Sequence, residues 1–258
     1  MAADLLKIER FLDVLLRTAE IADYPNALNG LQAENGGVIT KVAAAVDARE
    51  ETIGAAVEQG ANLLLVHHGL FWGGALPLRG AQRSRFRAII DGDLAVYSSH
   101  LPLDAHPDLG NNVLLAAELG LVPSAGFGRF KGIDIGVRGE TVVRTGELIE
   151  RAAAFASQWG GAVRSSRITD DRVTRRWAIV TGAGGSTETL REAHALGVDT
   201  LIAGEGPHHT AIDADELGIA VLYAGHYATE TPGVRALAQQ VSEAFGIPWT
   251  FVHVPTGL

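Results

Sequence analysis

Hydrophobic positions along the chain fall into two spacings, and the switch between them marks out the elements. Leu5, Ile8, Leu12, Leu15 and Leu16 recur every three or four residues, which predicts an amphipathic helix over 4–19. Pro25, Asn29 and Gly30 then break the pattern. Short apolar or alternating runs at 41–48, 62–68, 94–99, 132–139, 175–182, 199–206, 219–225 and 249–254 read as strands. Helical spacing returns over 49–60, 82–92, 111–119, 146–161, 186–197, 210–218 and 234–246, often stopped by a glycine. Polar loops are expected over 69–80 and 100–110. Strands alternating with helices at these lengths predict an α/β fold with crossover connections. No proline-, serine- or charge-rich run divides the chain, so no linker is expected.

One predicted strand, NLLLVHH, ends in His67 and His68. Successive side chains on a strand point to opposite faces, so two adjacent imidazoles share a target only if the chain turns, which Gly69 permits. An internal repeat gives them company. Gly60–Gly69 lies over Gly197–Gly206, each a helix stop, a strand, a polar pair and a glycine. Tyr97 then falls on Tyr223, His100 on His226 and Asp104 on Glu230. Such self-similarity marks a repeated supersecondary unit. Ligand sites of open α/β sheets lie at the carboxyl ends of strands. A duplicated β-α-β unit therefore gathers His67, His68, His100, Asp104, Glu205, His226 and Glu230 toward one crevice. Imidazoles mixed with carboxylates suit Zn, Fe, Mn or Ni. A histidine–acid hydrogen-bond network without metal is the alternative.

Composition narrows the chemistry. The 258 residues carry no cysteine, which excludes disulfides, thiolate catalysis and cysteine metal ligands and suits a reducing cytoplasm. A formal charge of −9 argues against a broad nucleic-acid surface. Neither a signal peptide nor a membrane helix is expected. In GEGPHHT, Pro207 suits a helix start, with His208 and His209 in the first turn, where the positive end of the dipole favours neutral imidazole. The glycine-rich TGAGGST (181–187) lacks a full nucleotide fingerprint and reads as a tight connection. His194 and His253 read as structural, and His106 stays undecided.

The segments NGLQ (29–32), HHGLFW (67–72), YSSHLPLDAHPDLGNN (97–112) and GHYATE (225–230) resemble the Nif-three-like family. Its members are also called dinuclear metal-centre proteins or GTP cyclohydrolase 1 type 2 homologues, and the resemblance runs from Leu5 to Val252. It implies two similar α/β lobes, here 1–125 and 126–258, about an internal pseudo-twofold with a metal cleft between them. It also implies a pair of divalent ions and a toroidal homohexamer. The family's ligand pattern falls on His67, His68, Asp104, His226 and Glu230. No inserted mid-chain domain is present. The resulting expectation is a metal-dependent hydrolase, with a purine nucleotide as candidate substrate and Glu205, His100 or Tyr227 moving a proton. A non-catalytic, ring-forming metal-binding or regulatory protein is the alternative.

Overall fold

The computed structural model describes residues 2–258. The described chain forms two compact units, one running to His106 and taking in Gly233–Val254, the other holding Pro107–Pro232 and Pro255–Leu258. The chain crosses between the two units three times.

The first unit contains β1 (Ala3–Asp4), α1 (Leu5–Leu16), β2 (Gly30–Ala33), β3 (Val38–Ile39), β4 (Val42–Asp47), α2 (Glu50–Glu58), β5 (Leu63–His68), α3 (Gly80–Asp91), β6 (Ala95–Ser98) and α4 (Leu101–Asp104). The second contains α5 (Asn111–Glu118), β7 (Ala125–Phe130), β8 (Ile133–Arg144), α6 (Thr145–Gln158), β9 (Arg164–Ser165), β10 (Val173–Val180), α7 (Thr187–Ala195), β11 (Thr200–Ala203), α8 (His208–Leu217), β12 (Ala220–Tyr223) and α9 (His226–Thr229). The chain passes back to the first unit within α10 (Thr231–Phe245), which leads to β13 (Trp249–Phe251).

The predicted first helix is real but shorter. Asp4 caps it by accepting from Lys7 N at 3.0 Å, and Arg17, at φ 53°, closes it three residues after Val14. In the first unit β13, β4, β5 and β6 run parallel, and β2 pairs antiparallel with β6 at the edge. In sequence NGLQ reads only as a break in helical pattern, yet Gly30–Ala33 is that edge strand. Ala43, Ala45, Leu64, Val66 and Val96 pack on Ile53 of α2 and Ile89 of α3.

The second unit's sheet has the order β7-β8-β10-β11-β12-β9. Strands β10, β11 and β12 are parallel, and β9 is antiparallel at the edge. Both units thus hold a three-stranded parallel run joined by two helices and finished by an antiparallel edge strand. In β10 the side chains alternate between two cores. Trp177 and Ile179 pack with Leu148 and Phe155 of α6, whereas Ala178 and Val180 pack with Leu190 of α7 and Ala214 of α8. Helices on both faces explain why these strands read as unbroken apolar runs. Among the described residues, no helix is long and apolar enough to cross a membrane.

Candidate metal centre

His67 and His68 are the last two residues of β5, so the strand runs through both and does not end before them. The rings nevertheless meet, with centroids 4.9 Å apart. Gly69 contributes closeness: a Cβ there would overlap the Gln32 amide. That amide is a clamp, accepting from Leu70 N at 2.7 Å and donating to Ala27 O and Leu28 O at 3.0 and 2.9 Å. His100, at the start of α4, completes the group, 4.8 Å from His67 and 5.6 Å from His68 between ring centroids. One ring nitrogen from each of the three lies within 4.8 Å of the others.

Each ring is anchored through Nδ1. His67 Nδ1 donates to the Ser99 carbonyl at 2.9 Å. His68 Nδ1 meets Asp47 Oδ1 at 2.9 Å, and His100 Nδ1 meets Asp23 Oδ1 at 2.9 Å. A carbonyl or carboxylate only accepts, so Nδ1 carries the proton and the lone pair of the neutral ring sits on Nε2. Asp104, at the end of α4, brings Oδ2 to 3.5 Å from His67 Nε2. Asp23 is itself held by Asn29 Nδ2 at 2.8 Å and Leu101 N at 2.9 Å, while Asn29 Oδ1 accepts from His100 N at 2.7 Å. Burial raises the Asp23 pKa, but His100, Asn29 and the Leu101 amide outweigh it and leave it at about 2. The aromatic rings of Trp72 and Tyr24 flank His100, at 4.6 and 6.1 Å.

The second unit carries a matching constellation where α9 begins. His226 Nδ1 donates to Glu205 Oε1 at 2.8 Å, and Nε2 lies 3.2 Å from Glu230 Oε2. Burial depresses the His226 pKa, but Glu230 and then Glu205 overcome it and raise it to about 9. The TGAGGST loop packs beneath: Gly182 N donates to Thr229 Oγ1 at 3.0 Å, and Glu205 N to Gly182 O at 2.8 Å. Gly182 has φ +57°, and a Cβ on it would overlap Glu230 Oε1. The loop is the tight connection expected, fitted against the acid. Tyr227 is buried on α9. His208 and His209 open α8 and are exposed, as are His194 and His253, and His106 is half-buried.

These donor sets fit a divalent metal. Imidazoles with Nδ1 fixed by oxygen acceptors and Nε2 directed at a carboxylate are how proteins prepare histidine ligands. The sequence does not single out Asp23 or Asp47. Asp47 has a usable signal, since it closes the apolar run of β4 at a carboxyl end, beside His68 in the ladder. Asp23 lies in an aperiodic loop and has none.

The family model described as Duf34/NIF3 (NGG1p interacting factor 3) matches residues 3–256. The chain belongs to the NIF3 family. A NIF3 relative from Deinococcus radiodurans, named GTP cyclohydrolase 1 type 2 homolog, is 40% identical over 98% of this chain and 94% of its own. A relative of the same name from Escherichia coli K12 is 36% identical over 96% and 97%. Among solved structures, the protein ybgI, described as of unknown function, has a TM-score of 0.89 at 33% identity, covering 99% of this chain and 100% of that one. TTHA1606 of Thermus thermophilus has a TM-score of 0.84 at 35% identity, with the same coverage.

Proposed function

We propose that this NIF3 protein binds two divalent ions and uses them to hydrolyse a small-molecule substrate. The observation supporting this is the repeated histidine geometry: four imidazoles held through Nδ1 by oxygen acceptors, two with Nε2 beside a carboxylate. Under this reading the two constellations belong to two similar lobes related by a pseudo-twofold and serve one cleft. His67, His68, Asp104, His226 and Glu230 are the ligands, and His100 joins the imidazole set. Zn, Fe, Mn and Ni all suit such nitrogen and oxygen donors. Glu230 and Asp104 would supply the carboxylate ligands, whose charge would offset part of that of the ions.

Bound ions would supply Lewis acidity and lower the pKa of water toward neutrality. The chain's own groups do the rest. Asp23, Asp47, Glu205 and the Ser99 carbonyl hold the rings in one tautomer. Glu205 keeps a second oxygen for a proton, and Tyr227 stands next in sequence to His226. The names of the relatives support a purine nucleotide as substrate, and the family supports a ring-shaped homohexamer working in the cytoplasm. The test is protein reconstituted with Zn, Mn or Fe, analysed for metal and assayed against nucleotides and phosphoesters beside Glu230→Gln. The expected result is two equivalents of metal and a turnover that the variant lacks. At most one equivalent overturns the dinuclear reading; two equivalents without turnover overturn the hydrolase.

A further inference from the structure

The first unit has a cavity of about 770 Å³ on the side where α2 and α3 begin. Three arginines line it: Arg49, the N-cap of α2; Arg79, the N-cap of α3; and Arg85, one turn into α3. Leu76 and Pro77 add an apolar wall. Two acids also reach the lining, Glu50 and Glu51, and Glu51 is paired with Arg49. Neither Arg79 nor Arg85 has a carboxylate partner among the described residues. Arg85 is fixed instead by neutral oxygens, donating Nη1 to Ala48 O at 3.1 Å and Nη2 to Gln82 Oε1. Its Nε is buried and donates to nothing. Neither helix start is capped by a side chain; Glu50 and Glu51 in the first turn of α2 offset its positive end, whereas the first turn of α3 holds no acid, so its positive end is left to the cavity.

We propose that this cavity is a binding site for the diphosphate group of a small organic molecule. Three arginines against two glutamates leave the lining one positive charge in surplus, in a chain of net charge −9, which favours an anion there, and planar guanidinium forks match phosphate oxygens. The volume lies within the range of pockets that take whole small molecules, so Leu76 and Pro77 face the part of the ligand beyond its phosphates. Arg85 ties the site to the histidine cluster through the chain: it holds the carbonyl of Ala48, and the preceding residue, Asp47, holds His68. The site itself needs no metal.

The test is calorimetric titration of the full chain with inorganic pyrophosphate, both metal-loaded and after stripping on a chelating resin. Arg79 is exposed and makes no side-chain hydrogen bond or ion pair, so Arg79→Met leaves the fold intact. The expected result is saturable 1:1 binding that survives stripping and weakens about tenfold or more in Arg79→Met, in line with the loss of a charge-assisted contact. Absence of binding to the stripped protein overturns the proposal and places any phosphate affinity on the metals. Unchanged affinity in Arg79→Met overturns it as well. Metal content is measured separately on the same samples, so failure of the dinuclear reading is read independently.

Discussion

Asp47 and His68 are ladder partners across β4 and β5, and the Asp47 carboxylate accepts from His68 Nδ1 at 2.9 Å. One pair of strands thus fixes both an imidazole and the acid that orients it. Replacing Asp47 with Ala leaves His68 in place but frees its ring and its tautomer. Loss of such an orienting partner costs about 10–100-fold in metal affinity. Competition with a chromophoric chelator measures this, and equal affinity in Asp47→Ala and wild type refutes the orienting role.

His226 makes metal binding pH-dependent. With its pKa raised to about 9 in the metal-free protein, the ring is protonated at neutral pH, and a ligand nitrogen must shed that proton. Affinity is therefore expected to rise with pH, up to about tenfold per unit for this one proton, and to level off above about pH 9. Titration calorimetry in buffers of different ionisation heat reads the proton released. Glu205→Gln removes one of the two charges that raise the pKa, so its plateau starts at lower pH.

Asp23 predicts acid sensitivity. Its pKa is about 2 when folded against an ordinary value of 3.8, so the unfolded chain takes up the proton first. The stabilisation is full above pH 3.8 and is lost as pH falls through about 2. The gap between the two values corresponds to roughly 2 kcal/mol. Urea unfolding of Asp23→Asn and wild type, compared near neutral pH and in acid, should show a stability difference that narrows in acid. A difference that stays constant rules out Asp23 ionisation as its source.

Gly182 offers a steric test of the Glu230 position. Ala at 182 must occupy φ +57° and overlap Glu230 Oε1, whereas Ala at 218 meets only the backbone cost at φ +71° in open space. Strain of this kind costs about 1–3 kcal/mol. Both variants are expected to lose stability in thermal unfolding, but only Gly182→Ala should also lose metal affinity. Equal metal affinity in the two variants refutes the close fit of Gly182 to Glu230.

The elements that the sequence made legible are those with strong periodicity and two covered faces. Strands β4, β5, β10, β11 and β12 stand out because helices bury both sides. Three of the four edge strands of the two larger sheets did not: β2, β7 and β9 carry Gly, Gln and Arg positions that meet solvent, whereas β13 read as a strand. At the candidate site, histidines following apolar runs gave themselves away. Two of their orienting partners were hidden, because Asp23 reaches His100 across 77 positions of sequence and Ser99 contributes only a carbonyl. Periodicity carries no information on a contact between a loop and a ring. The two tilted histidines of β5 also meet without the turn at Gly69 that strict alternation demands.

Strand β13 has a consequence for biosynthesis. It covers the free side of β4, with Trp249 against Val42 and Phe251 against Ala44. About 200 residues must leave the ribosome between these partners, a separation that slows closure of the first sheet. Until then β4, an almost wholly apolar VAAAVD segment, presents an unpaired edge to the cell, the kind of surface on which nascent chains associate. The second sheet, whose strands all fall between Ala125 and Tyr223, needs no partner from the end of the chain and leaves the ribosome ahead of β13. Truncation ahead of Trp249 would thus leave translation with one finished sheet and one sticky edge, a substrate for chaperones.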